Sequence, residues 1–299
     1  NGYRNYMELF LPSKKWNKEY IFARNQGTGY SDNIHQEKCM AANGMGGWSG
    51  LCPTQELVDA YEMANGSTPI IGYNADGTPI INGASGYSET GFAATAGKHY
   101  PAGVYNMYVD REPRFYASIN FNGQQWRGRQ LEFWQGGKDG INVSKVDYCC
   151  TGYLLRKTAD EGVDVINGKG GMKEASILFR VGSLYLDYAE ALNEAEGPVD
   201  DVYKYVDAIR KRAGLPGLAK GLDKDKMRER IQHERQIELA FEAGHRYFDC
   251  HRWKIAEKTD NGYMHGMNIT ATNKVDYSKR STVGDSRVFE KKHYLFPIP

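Results

Sequence analysis

Apolar and polar positions fall into two regimes along this chain, divided near residue 175. In "ILFRVGSLYLDYAEALNEAEG", Ile177, Val181, Leu184, Tyr185, Tyr188 and Leu192 share one side of a 3.6-residue period, which predicts a helix with these residues inward, ended by Gly197-Pro198. A second amphipathic helix follows, with Asp200 and Asp201 in its first turn and Val202, Val206, Ile209 and Ala213 on its inner face. Gly214 and Pro216 mark its end. Two such helices joined by a tight turn, with more helix expected from about Lys224 to Glu257, are the unit of a tetratricopeptide-like array. The expected fold is therefore mainly α, a helical-repeat scaffold over residues 176–256 with a C-terminal loop and tail, 257–299, packed on it.

Residues 1–175 read differently. Turn signals such as "NGMGGWSG", "YNADGTP" and "NGASGYSETG" separate brief strand-like runs, "EYIFA" and "RFYASINF". One helix is predicted there, "PTQELVDAYEMANG", opened by Pro53-Thr54 and closed by Asn65-Gly66. This part reads as loops with short strands, and loops carried on a rigid scaffold are where binding residues concentrate.

Composition narrows the function. A formal charge of +1 leaves no basic footprint for nucleic acid or an anionic membrane. No apolar run approaches the roughly 18 residues of a membrane span. The opening "NGYRNYMELF" does not begin with Met and has no signal-peptide pattern, so any targeting or lipid signal is expected upstream. The five cysteines, Cys39, Cys52, Cys149, Cys150 and Cys250, match no zinc spacing. Free thiols are expected, with a Cys39–Cys52 disulfide the alternative in an oxidising compartment. No cofactor or metal is expected.

The densest chemistry lies in "RIQHERQIELAFEAGHRYFD", residues 230–249, where Glu234, Glu238 and Glu242 recur every four residues, on one face if the helix is continuous. A zinc protease is excluded, because Ile237 stands where the second histidine of H-E-x-x-H belongs. A di-metal carboxylate site finds only one Glu-x-x-His pair on a helix, Glu242 with His245. Glycoside hydrolysis by Glu234 and Glu238 meets the spacing of a retaining pair, but side chains on one helix face do not flank a bond from opposite sides. The remaining reading is a structural charge network of Glu234, Arg235, Glu238, Glu242, Arg246, Asp249 and Arg252, since buried carboxylates persist when paired.

"ERQIELAFEAGHRYFDCHRWK" resembles the signature of the SusD/RagB family of bacterial surface nutrient-binding lipoproteins, E-R-x-x-E-L-x-x-E-G-x-R-x-x-D-x-x-R-W, with one extra residue around Ala243-Gly244-His245. "DREPRFYASINFNG", "TGYLLRK", "VDAIRKRAGLPGL" and "YLFPIP" fall in family order around it. The resemblance implies a tetratricopeptide-like scaffold, no catalytic activity, oligosaccharide or polysaccharide as ligand, and a SusC-like TonB-dependent outer-membrane transporter as partner. It implies outer-membrane, surface-exposed placement through a lipid anchor outside this chain, which resembles the C-terminal part of the family. A glycoside hydrolase and a helical-repeat peptide-binding scaffold are the alternatives.

A sugar ring needs flat aromatic platforms beside polar hydroxyl partners. The loop "NQGTGYSDNIHQEKCMAANGMGGWSG" offers Tyr30 and Trp48 as platforms and Asp32, Asn33, Gln36 and Asn43 as partners, with Tyr73, Asn74 and Tyr87 on the next loops. Trp16, Trp126, Trp134 and Trp253 are assigned to packing. An acidic glycan would bring Arg24, Lys38 or Arg129 forward.

Overall fold

A computed structural model describes residues 1–11, 17–25, 30–141, 146–169, 175–242 and 244–295, with the side chains of residues 25, 30–33 and 175 outside the described set. Trp16, residues 26–29, Ala243 and the final four residues of "YLFPIP" also lie outside the described residues. The elements in chain order are α1 (Gly2–Met7), β1 (Tyr20–Asn25), α2 (Tyr30–Met40), α3 (Gln55–Ala60), β2 (Ile70–Tyr73), β3 (Pro79–Ile81), α4 (Pro113–Ser118), β4 (Ile119–Phe121), β5 (Gln125–Trp126), β6 (Arg129–Gln130) and β7 (Tyr153–Leu155). They continue with β8 (Ala175–Arg180), α5 (Val181–Glu196), α6 (Asp200–Ala213), α7 (Lys224–Glu238), α8 (His245–Arg252), α9 (Ala256–Thr259), β9 (Gly262–Met267), α10 (Lys274–Tyr277) and β10 (Arg280–Arg287).

The scaffold is the α5–α6–α7 layer. Ala189, Val202, Val206, Met227 and Ile231 meet between these helices. Asp200 and Asp201 sit at the N-terminus of α6, basic Arg210, Lys211 and Arg212 at its end, and Gly214 closes it at φ 86°. The Asp223 side chain caps α7 by accepting from Lys226 N at 2.7 Å. One expectation fails on α5. Its first predicted residue, Ile177, belongs to β8, which pairs antiparallel with β1, and its buried face is Gly182, Ser183, Leu186, Ala189 and Asn193. Leu184 and Tyr188 are each 44% exposed. Leu186 and Ala189 form the buried centre of the face toward α6 and α7, while Tyr185, Tyr188 and Leu192 pack from its edges, the two tyrosines against Tyr205.

The larger core lies beneath the loop-rich part. Tyr61, Tyr108, Phe115, Tyr116, Phe121 and Tyr153 pack with Ile237 from α7 and with Met267 and Tyr277 from the C-terminal segment. Tyr108 and Phe121 rings stand 4.4 Å apart. β4 pairs with β7 and β9 with β10, all antiparallel two-stranded ladders.

Three further expectations are corrected. The stretch read as the loop 26–50 contains α2, whose polar character leaves no apolar stripe to see. The helix expected to reach Gly66 stops at Ala60, because the buried Arg111 guanidinium takes the carbonyls of Val58 at 2.6 Å and Tyr61 at 2.7 Å while Met63 bridges to Arg111. In "RFYASINF" the first half is α4, with Pro113 opening it, and only Ile119–Phe121 is strand. All five cysteines are free thiols. No helix among the described residues is long and apolar enough to cross a membrane.

Candidate functional site

Trp48 is held by the reversal of the chain after α2. The last turn of a helix leaves carbonyls without intrahelical partners, and here Trp48 N donates to Lys38 O at 2.7 Å, Gly50 N to Cys39 O at 2.8 Å and Ser49 N to Ala41 O at 3.0 Å. Two glycines permit the approach: Gly46 has φ 80°, and a Cβ at Gly47 would lie 2.1 Å from the Ala41 carbonyl oxygen. The indole stacks on His35, ring centroids 5.5 Å apart at 23°, with the Lys38 ammonium 5.5 Å from its centroid. It remains 39% exposed. The result is an aromatic plate backed by a helix and partly open to solvent.

The other predicted ligand residues separate. Tyr30, Asp32 and Asn33 have side chains outside the described residues, and their backbone starts α2. Asn43 is only 5% exposed; its Nδ2 donates to Gly140 O at 3.1 Å and its Oδ1 accepts from Gly44 N. It pins the loop in place of facing a ligand. Tyr87 is buried at 7%, donates to Glu89 Oε1 and lies against Arg111, so it too is corrected to packing. Asn74 closes an exposed turn, its Nδ2 donating to Thr78 Oγ1 at 2.9 Å. Arg129 is engaged by Asp139 through two bonds of 2.7 Å. Among the tryptophans assigned to packing, Trp126 is buried, Trp134 is half-buried and Trp253 donates to Glu190 Oε1 at 2.7 Å.

Tyr73 is 47% exposed with its hydroxyl anchored on Asp59 at 2.7 Å. Burial first, then the Asp59 carboxylate, pushes its phenol pKa up. It lines a cleft of about 630 Å³ between α3, the end of α7 and the β9 hairpin, and is the one sequence-named ligand candidate among the lining residues. Phe241 and Tyr263 supply further aromatic surface, with Arg246, Asp260, Asn261 and Arg287 as polar groups. Phe241, at φ 62°, gave no signal in the sequence, because its side chain faces outward only where α7 has already ended. Trp48 is not among the residues lining this cleft.

Glu234 and Glu238 lie deep in an ion network whose cations come from remote parts of the chain. Arg114 of α4 contacts Glu112 at 2.7 Å, Glu234 at 2.5 Å and Glu238 at 3.0 Å. Arg210 bonds Glu62 at 2.9 Å and Glu234 at 3.1 Å. Arg180 reaches Glu238 at 2.8 Å, Glu19 at 2.9 Å and Glu242 at 2.7 Å, and Arg212 joins Glu19 and Glu238. Burial pushes the Glu238 pKa up, but Arg212, Arg180 and Arg114 outweigh it and hold the carboxyl well below the usual range. Burial also brings Lys157, 2.6 Å from Glu242, down to about 8.

Both glutamates are buried away from any substrate, and the Glu238 pKa is lowered where a glycosidic acid needs it raised. Glu242 stands beyond the end of α7, so the three carboxylates do not share one helix. Arg235 and Arg252 bond Asp249 at 2.9 and 2.8 Å, in a separate cluster. Arg246 is corrected out of the network: it makes no hydrogen bond or ion pair among the described residues and lines the cleft. Among the described residues no group of three metal-ligating side chains could hold a metal.

Buried arginines bridging α4, α6 and α7 around the "ERQIELAFEAGHRYFD" signature tie the loop-rich part to the helices, and the sequence profile of the SusD family matches residues 13–299. The chain belongs to the SusD family. Among curated relatives, SusD-like protein P25 of Formosa agariphila is 42% identical over 82 residues, which is 26% of this chain and 15% of that protein. SusD-like protein P2 of the same organism is 34% identical over 100 residues, 30% of this chain and 20% of that one. A solved SusD-like protein of Bacteroides fragilis superposes with TM-score 0.72 at 30% identity, covering 98% of this chain and 54% of its own. A SusD-like carbohydrate binding protein of the same species gives TM-score 0.70 at 24% identity, covering 98% and 55%. The chain thus spans about half the length of these solved relatives. They share the expected architecture, a tetratricopeptide-like helical scaffold carrying a loop-rich part with short strands.

Proposed function

We propose that this SusD-family chain is part of a non-catalytic surface protein that captures oligosaccharides for a SusC-like TonB-dependent outer-membrane transporter, held to the membrane by a lipid anchor. The observation that carries the reading is Trp48, 39% exposed on a turn pinned to α2. An indole stacked on His35 on one side and partly open to solvent suits the apolar face of a sugar ring, and its rigid backing lowers the ordering cost of binding.

A glycan array identifies the ligand, and calorimetric titration of Trp48→Ala tests the site. Loss of one stacking platform weakens binding by about 1–3 kcal/mol, a roughly tenfold to hundredfold change, taking base stacking on aromatic residues as the guide. The melting temperature stays near wild type, because the indole is only partly buried. A destabilised variant with wild-type affinity refutes the platform and moves the site to the Tyr73 cleft. Release of reducing ends from any array glycan refutes the non-catalytic reading. Co-purification with the transporter tests the partner.

A further inference from the structure

Arg156 carries a buried charge with no ion-paired carboxylate among the described residues, Glu161 acting on it without forming an ion pair. It follows β7 and is 8% exposed. Its guanidinium lies 4.6 Å from the Trp126 ring centroid and 5.5 Å from that of Tyr3. Nη2 donates to the Tyr3 hydroxyl at 2.6 Å, whereas Nε is enclosed without a partner, and no carboxylate among the described residues forms an ion pair with it. The contrast with the other deeply buried arginines is sharp. Arg114, Arg180, Arg210 and Arg235 each hold two or more carboxylates. Arg111, whose Nε is likewise enclosed without a partner, donates to three backbone carbonyls, whereas Arg156 has only the Tyr3 hydroxyl.

An isolated buried charge is costly, several kcal/mol per ion even after relaxation. Stacking on two aromatic rings offsets part of that cost. The rest is relieved wherever an anion can reach the guanidinium, and Arg156 lines a recess of about 320 Å³. Tyr3, Lys98, His99, Tyr100, Gln124 and Gln125 complete its wall. Lys98 is an exposed second cation at the rim, and burial, then Lys98 and Arg156, lowers the His99 pKa. The Tyr100 ring is backed by Tyr116, 6.2 Å away, and its hydroxyl donates to Asp110. No carboxylate side chain is among the lining residues. The volume sits at the small end of ligand sites, about 300–1,000 Å³, enough for one ring and its acid group.

We propose that this recess is a second binding site, taking an acidic sugar whose carboxylate or sulfate group pairs with Arg156 while its ring lies along the tyrosines. The sugar half rests on the glycan-capture reading; the anion half rests on Arg156 alone. Bidentate pairing with a guanidinium fits either acid group, and the two sources are separated by the probes.

The test uses the whole chain with trigalacturonate, a sulfated trisaccharide, a neutral trisaccharide, and free sulfate and acetate, measured by thermal shift and calorimetry at low and high NaCl. One or both acidic trisaccharides raise the melting temperature, the neutral one does not, and added salt weakens the binding several-fold. Which acidic probe binds tells carboxylate from sulfate. Arg156→Gln weakens acidic-sugar binding by roughly tenfold or more, as expected for a charge-assisted hydrogen bond lost. Lys98→Ala weakens it less, and Trp48→Ala leaves it unchanged.

Should Arg156→Gln unfold, Lys98→Ala and the wild-type salt series carry the test. Salt-independent binding, equal binding of the neutral sugar, or no response to any acidic probe overturns the site. Response to free sulfate or acetate without response to either acidic sugar overturns the sugar assignment. Loss of array binding in Trp48→Ala with acidic-sugar binding retained shows two separate sites, so failure of either reading is seen apart from the other.

Discussion

Replacing Glu238 by Gln removes one anion while keeping its shape, and the buried network sets the cost. The carboxylate accepts from Arg114 at 3.0 Å and from Arg212, pairs with the Arg180 guanidinium at 2.8 Å, and is fully buried. Each cation keeps another partner: Arg114 has Glu112 and Glu234, Arg180 has Glu19 and Glu242, and Arg212 has Glu19. The loss is therefore one unit of negative charge among three guanidinium groups, plus an amide nitrogen facing donors. Removing one partner of a buried pair costs about 3–5 kcal/mol, a large share of the 5–15 kcal/mol typical of a folded protein. At about 2 °C per kcal/mol for a chain of this size, the melting temperature falls by roughly 6–10 °C.

The sign with pH follows from the lowered pKa. Because Glu238 ionises more easily folded than unfolded, its contribution is complete above the unfolded carboxylate value, about 4.3, and fades as pH falls below it toward the folded value. Urea melts followed by tryptophan fluorescence should thus show the variant well below wild type at pH 7 and the gap narrowing on acidification. A cost under about 1 kcal/mol at pH 7, or a gap that does not change with pH, refutes the paired-charge account. An unchanged melt with lost glycan affinity would assign the carboxylate to the ligand instead.

Two further outcomes follow from the same geometry. Burial brings Lys157 to about 8, below the unfolded lysine value, so the unfolded chain binds more protons between roughly 8 and 10.4 and the wild type gains stability over that window relative to Lys157→Met; urea midpoints at pH 8 and 9.5 that move in parallel for the two proteins would contradict this. Arg246→Ala, with no ion pair to lose, should stay within about 0.5 kcal/mol of wild type in the same melts, in contrast to Arg114→Ala.

Much of the scaffold was legible. α6 announces itself through Val202, Val206, Ile209 and Ala213 and through charges matched to its dipole, and all four apolar residues are buried. α5 was legible in part: Tyr185 and Leu192 pack on the core as expected, but the fully buried positions are Gly182, Ser183, Leu186, Ala189 and Asn193, while Leu184 and Tyr188 are half exposed. α2 was invisible because a mostly polar helix has no apolar stripe. The charged stretch could be read as paired, but not with whom: Arg246 was enlisted because it is near in sequence, while Arg114, Arg180, Arg210 and Arg212 do the pairing from elements that only tertiary structure brings together. Asn43 and Tyr87 had the right chemistry for sugar and are turned inward, Asn43 by a bond to distant Gly140 and Tyr87 by one to nearby Glu89. Composition does not specify which way a polar side chain points.

Most deep arginines are neutralised by carboxylates of the fold, Arg111 is held by three backbone carbonyls, and Arg156 has neither among the described residues. Where α4, α6 and α7 meet, every deep guanidinium finds carboxylates, and mutual pairing there fixes how the loop-rich part seats on the helices. Arg156 has the burial of those residues without their partners, and the Tyr73 cleft has Arg246 without any. A buried or half-buried charge left unpaired costs stability that a purely structural residue has no reason to incur. The proposed sites lie at such incomplete positions, where a ligand's own polar groups would finish the set. Trp48 follows the same logic in apolar form: its backbone N–H is bonded to the end of α2 and its ring is not fully covered.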